Sequence, residues 1–155
     1  MHALMHIYVF HILQGIVCLY ALACGGRPER VTAIMLFLAS IATWLLPFDP
    51  STSFQSVESF ELMIDLALMG GLITVALLAN RFWPLWLAAL HVLAIGIHGV
   101  RGFDAALMPW MYAAAGGKLA YPMIALLAMG VTRHRQRLAR YGQDPDWILP
   151  WQDAR

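Results

Sequence analysis

Apolar residues fall along this chain in long runs, not in narrow stripes. The first run extends from about Ala3 to Ala23 and stops at "CGGRPER". A second covers Val31 to Leu46 and stops at "PFDP"; a third begins near Glu61 and stops at "ANR". Pro84, suited to the first turn of a helix, opens a fourth that reaches Val100. The fifth apolar stretch, "AALMPWMYAAAGGKLAYPMIALLAMGVT", is interrupted by Pro109, Gly116, Gly117 and Lys118. Those breaks predict a short interfacial helix bearing Trp110 and Tyr112. A fifth span then follows from about Leu119 to Val131 and continues as the basic helix "RHRQRLARYG". Runs of this length approach the roughly 20 residues that a bilayer crossing needs. The predicted fold class is all-α, a polytopic membrane bundle of five transmembrane helices plus an outer interfacial helix. The bundle occupies residues 1–141, and residues 142–155 form a tail carrying tryptophan and proline.

Composition supports this reading. Of 155 residues, 61% are hydrophobic and 12% charged, about half the charged share of an ordinary soluble domain. Too few polar side chains remain to cover a soluble surface of this size. The formal charge of +1 supplies no overall attraction to nucleic acid. Its distribution says more. Arg27 and Arg30 follow span one, Arg81 follows span three, and Arg133, Arg135, Arg137 and Arg140 follow span five. Asp49, Glu58, Glu61 and Asp104 lie at the other ends, with Arg101 and Lys118 as the cations there. The positive-inside rule then predicts a cytoplasmic C-terminus, an N-terminus outside, and Lys118 near the outer surface. Span one has no basic residue before its apolar run, which argues against a cleaved signal peptide. Cys18 and Cys24 point in different directions on one helix, which argues against a disulfide.

The chemistry-bearing residues in the spans share faces. His91 and His98 are seven residues apart, so they keep one face with about 20° of drift. Glu58, Glu61 and Asp65 repeat at i, i+3 and i+7, as do His11, Gln14 and Cys18. His2 and His6 form a further pair. Counted from the outer ends, His6 and His98 are both shallow, His11 and His91 deeper, and Asp65 intermediate. Ionisable groups at such depth are expensive unless partnered, and they mark candidate function. Three chemistries compete with a plain hydrogen-bonded cluster. A b-type haem would use two of His11, His91, His98 and His6. A divalent metal would draw on His11, His91, Asp65 and Glu61, although no HExxH or ExxH spacing is present. A proton or ion path would need polar continuation through the inner half, where Thr43, Ser40 and Thr74 read as isolated.

Phe82, Trp83 and Trp86 read as anchors at the inner interface, and Trp110, Tyr112 and Tyr121 at the outer one. The tail "DPDWILPWQDAR" reads as either a docking peptide or an interfacial anchor. The segments "ANRFWPLWLAALHVLAIGIHG" and "RHRQRLARYGQDPDW" resemble small inner-membrane proteins of alphaproteobacteria, of sphingomonad type, over roughly the second half of the chain. That resemblance implies a bacterial inner membrane and a cytoplasmic basic C-terminus. It carries no activity, so no functional residue is transferred. The expected function is a non-catalytic accessory or scaffold subunit of a larger inner-membrane complex, an energy-converting one included. The alternatives are a haem- or metal-binding membrane protein and a small ion or solute carrier. Expected partners are the lipid bilayer and other membrane subunits, not nucleic acid.

Overall fold

A computed structural model of the chain describes residues 2–45, 59–103 and 109–148, with side chains at 7–45, 60–96 and 118–148. Among them lie five helices: α1 (His2–Cys24), α2 (Arg27–Leu45), α3 (Ser59–Leu78), α4 (Trp83–Phe103) and α5 (Pro109–Tyr141). Three stretches are long and apolar enough to cross a membrane: Ile7–Cys24, Arg27–Leu45 and Phe60–Leu78. Within these stretches only 17%, 28% and 22% of residues are buried inside the protein. The outward residues include Ile12, Leu19, Leu45, Leu66 and Leu77. A soluble bundle hides such side chains; here they cover the outside, as lipid as solvent requires.

Neighbouring helices close a ring, α1 to α2 to α3 to α4 to α5 and back to α1, with α2 also touching α5. The core running through the ring is narrow: Cys18, Ala21, Ala33, Leu36, Leu72, Leu87, Leu127 and Val131. Small residues permit close approach. At Gly130 an added Cβ would fall 2.7 Å from the Trp83 indole, so the missing side chain is what lets that ring lie against α5.

Short links join the helices at the arginine-rich end. Gly25 and Gly26 connect α1 to α2, with the Gly25 amide donating to Ala21 O at 2.9 Å. Pro28 stands in the first turn of α2, where its lost donor costs nothing. Helix α5 ends at Gly142, whose φ of 71° is left-handed and whose amide donates to Leu138 O, a helix stop for which glycine is suited.

Two sequence expectations change. Helix α5 runs unbroken through Gly116, Gly117, Lys118 and Pro122, so the interfacial helix is not a separate element. A continuous helix pairs backbone donors and acceptors within itself, which a break at Gly116 would leave to other partners. Lys118 accordingly sits nine residues into α5, about 14 Å along the axis from Pro109, not at a helix boundary. The tail also differs from a free peptide. Asn80 N donates to Asp146 O at 3.1 Å and Ile148 N to Leu78 O at 2.8 Å, an antiparallel bridge of Trp147 to Ala79. Trp151 lies outside the described residues.

Candidate functional site

The strongest polar constellation lies at the arginine-rich end, where α1–α2, α3–α4 and the segment after α5 meet. Arg81 comes from the short α3–α4 link and its side chain is fully buried. Its Nε donates to Glu29 Oε1 at 3.3 Å. One terminal nitrogen donates to Pro145 O at 2.6 Å and Asn80 O at 3.1 Å. The other reaches Asp144 Oδ2 at 2.7 Å and Asp146 Oδ1 at 3.5 Å. One guanidinium thus ties α2, the α3–α4 link and the C-terminal segment together. Its planar fork suits several acceptors at once.

Glu29, in the first turn of α2, is also fully buried. Its Oε1 accepts a second bond from Trp83 Nε1 at 3.2 Å. Its Oε2 has no hydrogen-bond partner. His134 Nδ1 lies 2.7 Å from Asp144 Oδ2 and 3.2 Å from an Arg81 nitrogen. A carboxylate accepts and a guanidinium donates, so both cannot bond the same nitrogen. The shorter, charge-assisted contact decides for Nδ1–H donating to Asp144, so in the neutral ring Nε2 is the acceptor nitrogen. Arg137 Nε approaches Asp144 Oδ1 at 3.5 Å. Asp146 Oδ1 accepts the Arg27 amide at 3.2 Å, capping α2 from a residue far away in sequence.

The predicted intramembrane residues are arranged differently. His11 bonds within the α1–α2 pair. Trp44 Nε1 donates to His11 Nε2 at 2.9 Å, so Nδ1 carries the proton and donates to Ser40 Oγ at 3.3 Å. Ser40 donates to Gln14 Oε1 at 3.2 Å, and Gln14 Nε2 to Leu36 O at 3.0 Å. Cys18, the next on that stripe, reaches Ala33 O at 3.6 Å. The whole i, i+3, i+7 stripe of α1 therefore faces α2. Ser40 lies beside His11, toward the end of α2 away from the arginine-rich end. Thr43, like Thr74, bonds its own helix four residues back.

His91 is buried and its Nε2 donates to the Asp65 backbone carbonyl at 3.0 Å, with Asp65 Oδ1 4.0 Å away. The structure thus brings His91 and Asp65 together across α3 and α4. It does not bring His11 to them, because α1 packs on α2 and α5 among the described residues. The side chains of His6 and His98 lie outside those described. Glu61 is half-buried on α3 and has a polar partner. Among the described residues, the one group of three or more His, Cys, Asp or Glu side chains close enough to hold a metal is Glu29, His134 and Asp146.

Sequence reasoning missed this group for a physical reason. Glu29 and His134 stand within arginine-rich segments, and Asp146 in a polar tail; each looks like an ordinary solvated loop charge. Trp83, read as a bilayer anchor, is instead buried and bonded to Glu29. Trp86 and Phe82 remain outward-facing. Comparison with protein-family models, with curated proteins and with solved structures finds no match.

Proposed function

We propose that this chain is a structural, non-catalytic subunit of a larger assembly in a bacterial inner membrane. All five helices cross the bilayer, with the arginine-rich end in the cytoplasm and the N-terminus outside. Loop arginines supply the orientation. Helix α5 supports the fifth crossing, since Pro109 to Thr132 gives about 36 Å of continuous helix against a hydrocarbon core of about 30 Å.

The observation that carries the subunit reading is the outer flank of α1 and α2. There a groove of about 370 Å³ is lined by His11, Gln14, Phe37, Ser40, Trp44 and neighbours. A chain of polar side chains is thus set into a face whose remaining residues, Phe37, Ile41 and Leu45 among them, are exposed and apolar. Hydrocarbon offers such groups no further bonds, whereas a helix of another subunit can fill the groove and hydrogen-bond into it. The segment through Trp147 is pinned to the bundle, which moves the expected docking surface from the tail to this flank.

The test is a photo-crosslinking amino acid at Phe37 or Ile41 in cells. Recovery of a discrete adduct with another membrane polypeptide supports the reading. Lipid adducts alone, with the chain migrating by itself under mild detergent, overturn it.

A further inference from the structure

We infer that Glu29, His134 and Asp146 form a binding site for a divalent transition-metal ion of the zinc class, which fastens the C-terminal segment over the arginine-rich end of the bundle. One ligand atom from each residue lies within 4.8 Å of the others. Ligands at zinc distances of about 2.0–2.2 Å stand roughly 3.5 Å apart, so small side-chain adjustments close the set. Glu29 Oε2 is the deciding atom. It is buried, without a hydrogen-bond partner, on a side chain that is itself fully buried. A buried carboxylate oxygen left bare is costly.

It also points at the other two residues. A Cβ placed on Gly26 would stand 3.0 Å from Glu29 Oε2, 3.0 Å from His134 Cε1 and in closer contact with Asp146 Oδ1. Three potential ligand side chains therefore border one small space beside a residue that has no side chain to occupy it. His134 is prepared in the manner of a metal ligand. Its Nδ1 is engaged by Asp144 at 2.7 Å, which fixes the orientation of the ring and leaves Nε2 as the nitrogen available to a metal.

Charge points the same way. Glu29, Asp144 and Asp146 face the guanidiniums of Arg81 and Arg137, three carboxylates against two guanidiniums. Arg27 also approaches Asp146, at 3.9 Å, but its side chain is 78% exposed and its charge is screened. The excess of one negative charge favours a cation over an anion in this space. One imidazole with two carboxylates suits zinc, cobalt(II), iron(II) or manganese(II) better than a thiolate-seeking ion.

The test uses the untagged full chain in detergent, stripped with chelator and titrated with Co²⁺. The expected result is one equivalent per chain, seen as visible ligand-field bands that stoichiometric Zn²⁺ removes. His134→Gln and Asp146→Asn should each weaken binding by at least about tenfold, the lower range for losing even an outer-shell partner of a metal ligand. Replacing His11 or His91 with glutamine should leave it unchanged. Zinc should also slow proteolysis between Gln143 and Ile148. Absence of bands in the wild-type chain overturns the site. So does binding that survives both ligand variants, or that is abolished by replacing only His2 and His6.

Discussion

Replacing Arg81 with methionine tests the charge cluster most severely. The side chain is fully buried, and so is Glu29 at 3.3 Å from its Nε. Asp144, at 2.7 Å, is only 5% exposed. Methionine has comparable reach but no charge, so the variant strands Glu29 without its cation and leaves Asp144 with Arg137 and His134 alone. Breaking a buried pair from one side costs about 3–5 kcal/mol. Loss of the donors to Pro145 O and Asn80 O acts in the same direction, although these terms overlap and do not add. The smaller figure of about 0.6 kcal/mol for hydrogen bonds within membranes does not govern here, because the loss is one of charge compensation. Unfolding in mixed micelles, with chelator present to remove any metal contribution, measures the effect. Combining Arg81→Met with Glu29→Gln should recover at least about 1 kcal/mol, since neutralising the stranded partner removes its desolvation penalty. The glutamine amide would still offer an oxygen to Trp83. A loss below about 1 kcal/mol for Arg81→Met, or strict additivity in the double variant, refutes the buried-pair argument.

Asp144→Asn should destabilise the chain by about 1.5–3 kcal/mol, the range for hydrogen bonds to charged groups, and speed protease cleavage after Gly142. Gly130→Val should cost about 1–3 kcal/mol by overpacking, because its Cβ would meet Trp83 at 2.7 Å; indole fluorescence and unfolding both report this. His91→Leu should cost no more than about 1.7 kcal/mol, the upper value for single intramembrane bonds, since it gives up one bond to a carbonyl. A larger loss on the same unfolding assay would show that His91 does more than join α3 to α4.

The helices were legible in the sequence because apolar length is a strong signal. Predicted starts and ends agree with α1, α3 and α4 within a few residues. Helix α2 begins earlier than its apolar run, at Arg27, since Pro28 and Glu29 suit a first turn. The cues at Gly116 and Gly117 misled, because glycine costs a helix only about 1 kcal/mol against alanine and does not by itself end one. Pairing of His91 with Asp65 followed from shared faces and depth. His11 shared their depth but not their neighbours; periodicity says which way a side chain points on its own helix and nothing about which helix stands there. The cluster around Arg81 was invisible for a related reason. Glu29, Arg81 and the His134–Asp144 pair come from three distant stretches, each unremarkable in its local context.

The most direct test of the account is cysteine accessibility from the two sides of the membrane. In a background lacking Cys18 and Cys24, single cysteines are placed at Phe82 and Arg140 on the arginine-rich end. Another is placed at Phe60, near the start of α3; all three positions are exposed. An impermeant maleimide applied outside intact spheroplasts should label Phe60→Cys. It should reach Phe82→Cys and Arg140→Cys only after the membrane is opened. Labelling of all three from outside, or of Arg140→Cys before Phe60→Cys, contradicts a bundle that alternates across the bilayer with its arginine-rich end in the cytoplasm.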